Sequence, residues 1–228
     1  MEMSKKASHE SKPMGMISEC SGWPFGGLWL QPCVVCRIPL SFLCTDAERN
    51  LRVAKKTSYS LSKNELRHRA RNIKLVLSDC DGVLTDTGVY FSEAGEVMKR
   101  FSIRDGMGTE LLRKVGIETG YITGETSPGL KRRAEKLKLV HLYLGIDDKP
   151  AALRKILSKT KLSAGEIAYI GDDVNDLEML KEVGKAGLTA TPADGMPVVK
   201  KSVHYICKAK GGYGAFRDFA DWILQLHS

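Results

Sequence analysis

From about residue 73 onward, short apolar runs alternate with stretches of helical spacing. The runs "IKLVLSD", "IETGYITG", "LVHLYLG", "EIAYIGD" and "KAGLTAT" are compact, apolar and bounded by turn formers, which predicts buried strands. Between them, "GMGTELLRKVG", "SPGLKRRAEKLK", "KPAALRKILSKT" and "NDLEMLKEVG" set apolar residues three and four apart, and "YGAFRDFADWILQLH" does the same at the end of the chain. Strand followed by helix predicts a doubly wound, Rossmann-like α/β fold: a parallel sheet covered by helices on both faces. One stretch departs from the alternation. In "GVYFSEAGEVMKRFS" two strand-forming pieces flank a Glu-Ala-Gly-Glu turn, which predicts a β-hairpin inserted after the first strand. Ahead of that strand, "LSKNELRHRARNIK" predicts a short helix, with Ser62 and Glu65 spaced as a capping box and its basic residues on a solvated face.

Residues 1–62 hold Ser, Lys, Gly and Pro without a sustained period of 2 or 3.6, and are expected to form a poorly ordered extension ahead of one domain over residues 63–228. A second reading, that part of the extension is a mis-set translation start, would be excluded by an intact Met1 in natively expressed protein. Four of the six cysteines fall in the first 44 residues. Cys33 and Cys36 form a C-x-x-C pair with no second pair at zinc spacing, so reduced thiols are expected and a metal or redox role is not. The apolar part of the extension is broken by Pro24, Gln31, Pro32, Arg37 and Pro39, which argues against a spanning helix or signal peptide and predicts a cytoplasmic protein with no membrane partner. Of the formal charge of +8, residues 1–70 contribute 11 Lys and Arg against 6 Asp and Glu, so the main body is only mildly basic and nucleic-acid binding is not expected.

The strand ends carry the chemistry. The first is followed by Asp79 and Asp81, the second by Thr123, Gly124 and Glu125, the third by Asp147, Asp148 and Lys149, and the fourth by Asp172, Asp173 and Asp176. In an open parallel sheet these positions share the ligand-binding edge. Carboxylates gathered there repel one another unless a cation sits among them, and oxygen donors suit a hard divalent ion such as Mg²⁺. With Lys149 and Thr123 able to hold a phosphoryl group, the set predicts phosphoryl transfer: one opening aspartate attacks phosphorus, and the other moves a proton to the leaving oxygen.

Taken in order, "DCDGV", "YITGE", "DDKPAAL" and "GDDVND" resemble the four motifs of the haloacid dehalogenase superfamily of phosphatases. The resemblance implies that Asp79 is a nucleophile forming an aspartyl phosphate, and that Asp81 is the general acid/base whose carbonyl also meets the metal. It implies that Thr123 and Lys149 hold the phosphoryl group, and that Asp172 completes a Mg²⁺ site with Asp79 and Asp81. Asp173 and Asp176 are expected to orient metal-bound water or cap the following helix.

No long segment separates these motifs, so the chain is expected to be capless. With "LTDTGVYFSEAGEVMKRFSIRDGMG" and "GGYGAFRDFADWIL", it resembles the subfamily acting on 2-keto-3-deoxy sugar-acid phosphates: 3-deoxy-D-manno-octulosonate 8-phosphate phosphatase and the nonulosonate 9-phosphate phosphatases. That resemblance implies a homotetramer whose hairpins assemble centrally, with lipopolysaccharide or sialic acid biosynthesis as the setting. It also implies that Gly124, Glu125, Arg133 and Lys136 contact the sugar acid, the last two across a subunit interface. Glu125 after "TG" favours the nonulosonates, other features fit either, and both substrates stay open. Where "LTDG" is commoner, "LTDTG" reads as Thr87 in place of a glycine or as one added residue. A different class, a non-catalytic assembly domain like the C-terminal domain of animal CMP-sialic acid synthetase, is set against the enzyme, and Asp79 at the nucleophile position favours the enzyme.

Overall fold

The computed structural model describes residues 60–228; most of the predicted extension, including Cys33 and Cys36, lies outside the described residues. The chain opens with α1 (Lys63–Asn72), β1 (Leu75–Ser78), the hairpin strands β2 (Val89–Ser92) and β3 (Gly95–Lys99), and α2 (Ile103–Lys114). There follow β4 (Glu118–Ile122), α3 (Pro128–Lys136), β5 (His141–Tyr143), α4 (Lys149–Thr160) and β6 (Ile167–Ile170). Finally come α5 (Leu177–Gly184), β7 (Leu188–Thr191), the single-turn α6 (Pro197–Lys200), β8 (Tyr205–Ile206) and α7 (Ala215–His227).

Six strands form one parallel sheet in the order β5-β4-β1-β6-β7-β8, and β2 and β3 pair antiparallel as a separate ribbon. Each predicted strand and each main helix is present. The two-residue β8 and single-turn α6 are additional, and both are too short for hydrophobic periodicity to register. From β1 the chain builds outward through β4 and β5, then crosses back to place β6 on β1's other side. That reversal makes the carboxyl end of β1 the topological switch point, where the flanking connections part and leave a crevice.

Strand alternation divides the core into two layers. Val76 of β1 and Ala168 and Ile170 of β6 face a cluster with Leu112 of α2, Leu130 and Ala134 of α3 and Phe216, Phe219 and Ile223 of α7. Leu75 and Leu77, with Ile167 and Tyr169, face Leu153 and Ile156 of α4 and Met179, Leu180 and Val183 of α5. A strand loaded on both faces needs an unbroken apolar run, which is what "LVL" and "IAYI" provide.

One local expectation is corrected. Ser62 does cap α1, its hydroxyl accepting from the Glu65 amide at 3.2 Å, but the Glu65 carboxylate binds Arg69 one turn on rather than reaching back to close the box.

Candidate active site

β1 hands its last ladder bond to Asp79, whose amide donates to Ile170 O at 3.0 Å. The chain then coils: Cys80 O accepts from the amides of Val83, Leu84 and Thr85, and Gly82 turns with φ +91°. A Cβ at Gly82 would stand 1.9 Å from Asp172 Oδ2, so the backbone conformation and the approach of the facing carboxylate both demand glycine.

Asp79 is buried at the floor of the crevice. Lys149, the first residue of α4, donates to Asp79 Oδ1 at 2.7 Å and to Asp176 Oδ1 at 2.5 Å. Asp148 caps α4 by accepting from the Ala151 amide at 2.8 Å, and the helix start this sets sends Lys149 inward. Asp176 is fully buried. It accepts from the Tyr169 hydroxyl as well as Lys149, and its Oδ2 accepts from the amides of Asp172 at 2.9 Å and Asp173 at 3.3 Å. Asp173 caps the single 3-10 turn at 174–176. Asp173 therefore caps the turn as expected, whereas Asp176 makes no side-chain cap at the start of α5 and instead forms the centre of the buried polar network, a placement that sequence spacing does not single out.

Carboxylate oxygens of Asp79, Asp172 and Asp176 lie within 4.8 Å of one another. Burial, then the neighbouring carboxylates, push the Asp79 and Asp172 carboxyl groups well above the usual carboxylate range, with Lys149 opposing. Burial disfavours the charge on Lys149, yet Asp79 and Asp176 outweigh it and raise its pKa. One lysine is thus left to balance three carboxylates, and Asp172 Oδ1 is buried without a hydrogen-bond partner. A hard divalent cation accounts for both facts, and an all-oxygen donor set fits Mg²⁺. The side chain of Asp81 is outside this cluster: it accepts from Lys99 at 2.9 Å and Thr85 at 3.3 Å, so its expected contribution to the metal falls to the carbonyl.

Above this floor a cavity of about 510 Å³ is lined by Asp79, Asp81, Thr123, Gly124, Glu125 and Asp172, together with hairpin residues Phe91, Glu96 and Lys99. Thr123 is buried at the end of β4, while Gly124 and Glu125 stand exposed at the mouth. The fold therefore brings together every residue expected to handle the phosphoryl group. It does not bring Arg133 or Lys136 to the cavity of their own chain. Arg133 donates to Ser102 O at 3.0 Å and packs over Gly106 of α2, and Lys136 is solvent-exposed.

The haloacid dehalogenase-like hydrolase profile matches residues 96–184. Over 168 residues, 74% of this chain and 88% of the relative, the sequence is 37% identical to the 3-deoxy-D-manno-octulosonate 8-phosphate phosphatase KdsC of Yersinia pestis. The cobalt-bound deoxy-D-mannose-octulosonate 8-phosphate phosphatase of Haemophilus influenzae superposes with a TM-score of 0.66 at 36% identity, covering 70% of this chain and 91% of that one. The 3-deoxy-D-manno-octulosonate 8-phosphate phosphatase of Moraxella catarrhalis, solved with a magnesium ion, a phosphate ion and a KDO molecule, gives 0.67 at 35% identity, covering 72% and 92%.

Proposed function

Because this chain belongs to the haloacid dehalogenase superfamily, in the capless branch of Mg²⁺-dependent octulosonate 8-phosphate phosphatases, we propose that its substrate is a 2-keto-3-deoxy sugar-acid phosphate, the octulosonate 8-phosphate or a nonulosonate 9-phosphate. The observation that carries the reading is the buried Asp79-Asp172-Asp176 cluster, tied to Lys149 and opening on one cavity.

In this proposal Asp79 attacks phosphorus, and the bond to the sugar oxygen breaks as Asp81 gives that oxygen its proton. Asp81 then takes a proton from water as the water oxygen attacks the phosphoaspartate, releasing inorganic phosphate and restoring both carboxyl groups. Lys149 pins one oxygen of Asp79 and offsets phosphoryl charge, while Thr123 and the Gly124 backbone hold the phosphoryl oxygens. Asp79, Asp172 and the Asp81 carbonyl would hold Mg²⁺, with Asp176 setting the loop that carries Asp172. When bound, the ion lowers the repulsion between nucleophile and phosphoryl group.

Selection of the sugar acid is assigned to the assembly. Among the described residues lining the cavity the one cation is Lys99, and Asp81 and Glu96 already engage it. A substrate carboxylate therefore calls for cations from outside the chain's own cavity, and Arg133 and Lys136 of a neighbouring copy fit that need. The homotetramer is proposed on the same ground and on the exposed apolar side chains of the hairpin, Tyr90, Phe91, Val97 and Met98. The catalytic unit is assigned to residues 63–228. Among the described residues no helix is long and apolar enough to cross a membrane.

The test is phosphate release from octulosonate 8-phosphate, nonulosonate 9-phosphates and unrelated sugar phosphates, with Mg²⁺ and with chelator, beside Asp79→Asn. The expected outcome is Mg²⁺-dependent preference for one keto-deoxy acid, reduced at least about a thousandfold in the variant. Retained Mg²⁺-dependent turnover in Asp79→Asn would overturn the nucleophile assignment. No release from any member of the panel would favour the non-catalytic assembly role instead.

A further inference from the structure

Lys99 has no part in the chemistry above, yet it is among the most constrained side chains at the site. Its side chain is 2% exposed although it stands on a two-stranded ribbon whose outer face is open to solvent. Its ammonium donates to Asp81 Oδ2 at 2.9 Å and lies 3.4 Å from Glu96 Oε2. The other Glu96 oxygen accepts from the Ser127 hydroxyl at 2.5 Å, and Ser127 is the cap of α3, accepting from the Leu130 amide at 3.3 Å. Asp81, Lys99, Glu96 and Ser127 thus form a strap. It runs from the loop after β1, across the hairpin, to the start of the helix that follows Thr123 and Gly124.

The strap is a poor device for stability alone. Burying an ammonium between two carboxylates costs desolvation that the pairing roughly repays, so a packed apolar contact would hold the hairpin as well. A lone two-stranded ribbon is marginal in water, and the strap gives this one a fixed place over the cavity. What the ion pair adds is direction. Both oxygens of Asp81 meet donors, Thr85 on Oδ1 at 3.3 Å and Lys99 on Oδ2 at 2.9 Å, which sets the plane of the carboxyl group. The longer contact yields first when a proton comes to Oδ1.

We propose that Lys99 is the positioning residue for Asp81: by holding Oδ2 against the hairpin, it leaves Oδ1 as the oxygen that carries the proton to the leaving group. The hairpin thereby sets the geometry of the proton transfer as well as roofing the cavity. The inference rests on the acid/base reading of Asp81, and its test separates the two.

Turnover is compared on a sugar phosphate, whose alkoxide must be protonated to leave, and on 4-nitrophenyl phosphate, whose phenolate leaves without a proton. The measured quantity is the ratio of the two kcat/KM values in the full-length enzyme with Mg²⁺, which report the steps up to departure of the leaving group and leave out the phosphoaspartate hydrolysis that both substrates share. In Lys99→Met this ratio should fall at least about tenfold, and in Asp81→Asn by about a hundredfold or more, the range of general acid catalysis. Glu96→Gln, which keeps Lys99 but loosens its anchor, should move the ratio in the same direction by a smaller factor, and serves where Lys99→Met fails to fold. Equal losses on both substrates would reduce Lys99 to a structural role and overturn the proposal. So would an unchanged kcat with a raised KM for the sugar acid alone, which would make Lys99 a substrate-reading group. An unchanged ratio in Asp81→Asn would instead remove the acid/base assignment beneath it.

Discussion

Thr87 carries backbone strain at a single residue. Its φ of +65° lies in the left-handed region, where a β-branched residue is disfavoured, and its hydroxyl donates to the neighbouring Asp86 O at 2.6 Å. Threonine therefore stands in a conformation that favours glycine, as the reading of "LTDTG" as a replaced glycine expects. Thr87→Gly should relieve strain of about 1–2 kcal/mol, part of which the extra freedom of the unfolded chain cancels. The expected net gain is up to about 1 kcal/mol, seen as a melting temperature about 2–4 °C higher at this chain length; a lower one would show that Thr87 is unstrained. Lys149 shows the opposite economy. Removing it would strand Asp79 and Asp176 as uncompensated buried charges, so the residue proposed to hold the phosphoryl group also holds the floor together.

Between elements, α2 and α7 are joined by a buried acid. Asp105 Oδ1 accepts from the Arg217 amide at 2.9 Å, in the first turn of α7, and the two helices approach so closely that a Cβ on Gly108 would stand 3.1 Å from Arg217 Cα. Burial pushes the Asp105 carboxyl up to about 6, against the hydrogen bonds from the Arg217, Gly214 and Phe216 amides and the Arg133 charge. A folded-state pKa above the unfolded one gives a contribution fully present below the unfolded value of 3.8 and lost as pH rises through about 6. Urea denaturation at pH 4 and pH 7 should therefore show Asp105→Asn losing about 2 kcal/mol less stability over that interval than the wild type. Equal losses would show that Asp105 does not titrate as its burial implies. The hairpin is the other informative element. The spacing of "VYFS" and "GEVMK" predicts its strands, but its bulge between Tyr90 and Phe91 follows from pairing that no local pattern encodes.

Over the whole molecule, the proposed association rests on two features: the exposed apolar hairpin, and a cavity whose one lining cation among the described residues, Lys99, is already paired. Phe91 is 73% exposed on β2 and Tyr90 62%, a costly display on a free surface. Light scattering should give a tetramer for the wild type and a smaller species for Tyr90→Glu, a hairpin position outside the cavity lining. Turnover of the sugar acid should fall with the assembly, while 4-nitrophenyl phosphate hydrolysis falls less. A wild-type monomer at micromolar concentration would defeat the proposed tetramer and the cross-subunit role of Arg133 and Lys136 together.

Much of this was legible in the chain itself. Short apolar runs such as "LVL" and "IAYI", bounded by turn formers, predict strands buried on both faces, and helical spacing between them predicts a parallel sheet. The polar residues at the ends of those runs then share one edge, so the sequence alone groups Asp79, Asp81, Thr123, Lys149 and Asp172. What the tertiary structure alone decided is which of these groups touch. Lys149 and Asp79 are 70 residues apart, and only the crossover that returns the chain to the other side of β1 sets them at 2.7 Å. The same holds for Asp176 beneath Lys149, for Lys99 against Asp81, and for Arg133, which packs on α2 instead of facing its own cavity. Periodicity reports the face on which a side chain lies. Its partner is fixed by long-range packing, because that contact forms only after the sheet order has been chosen.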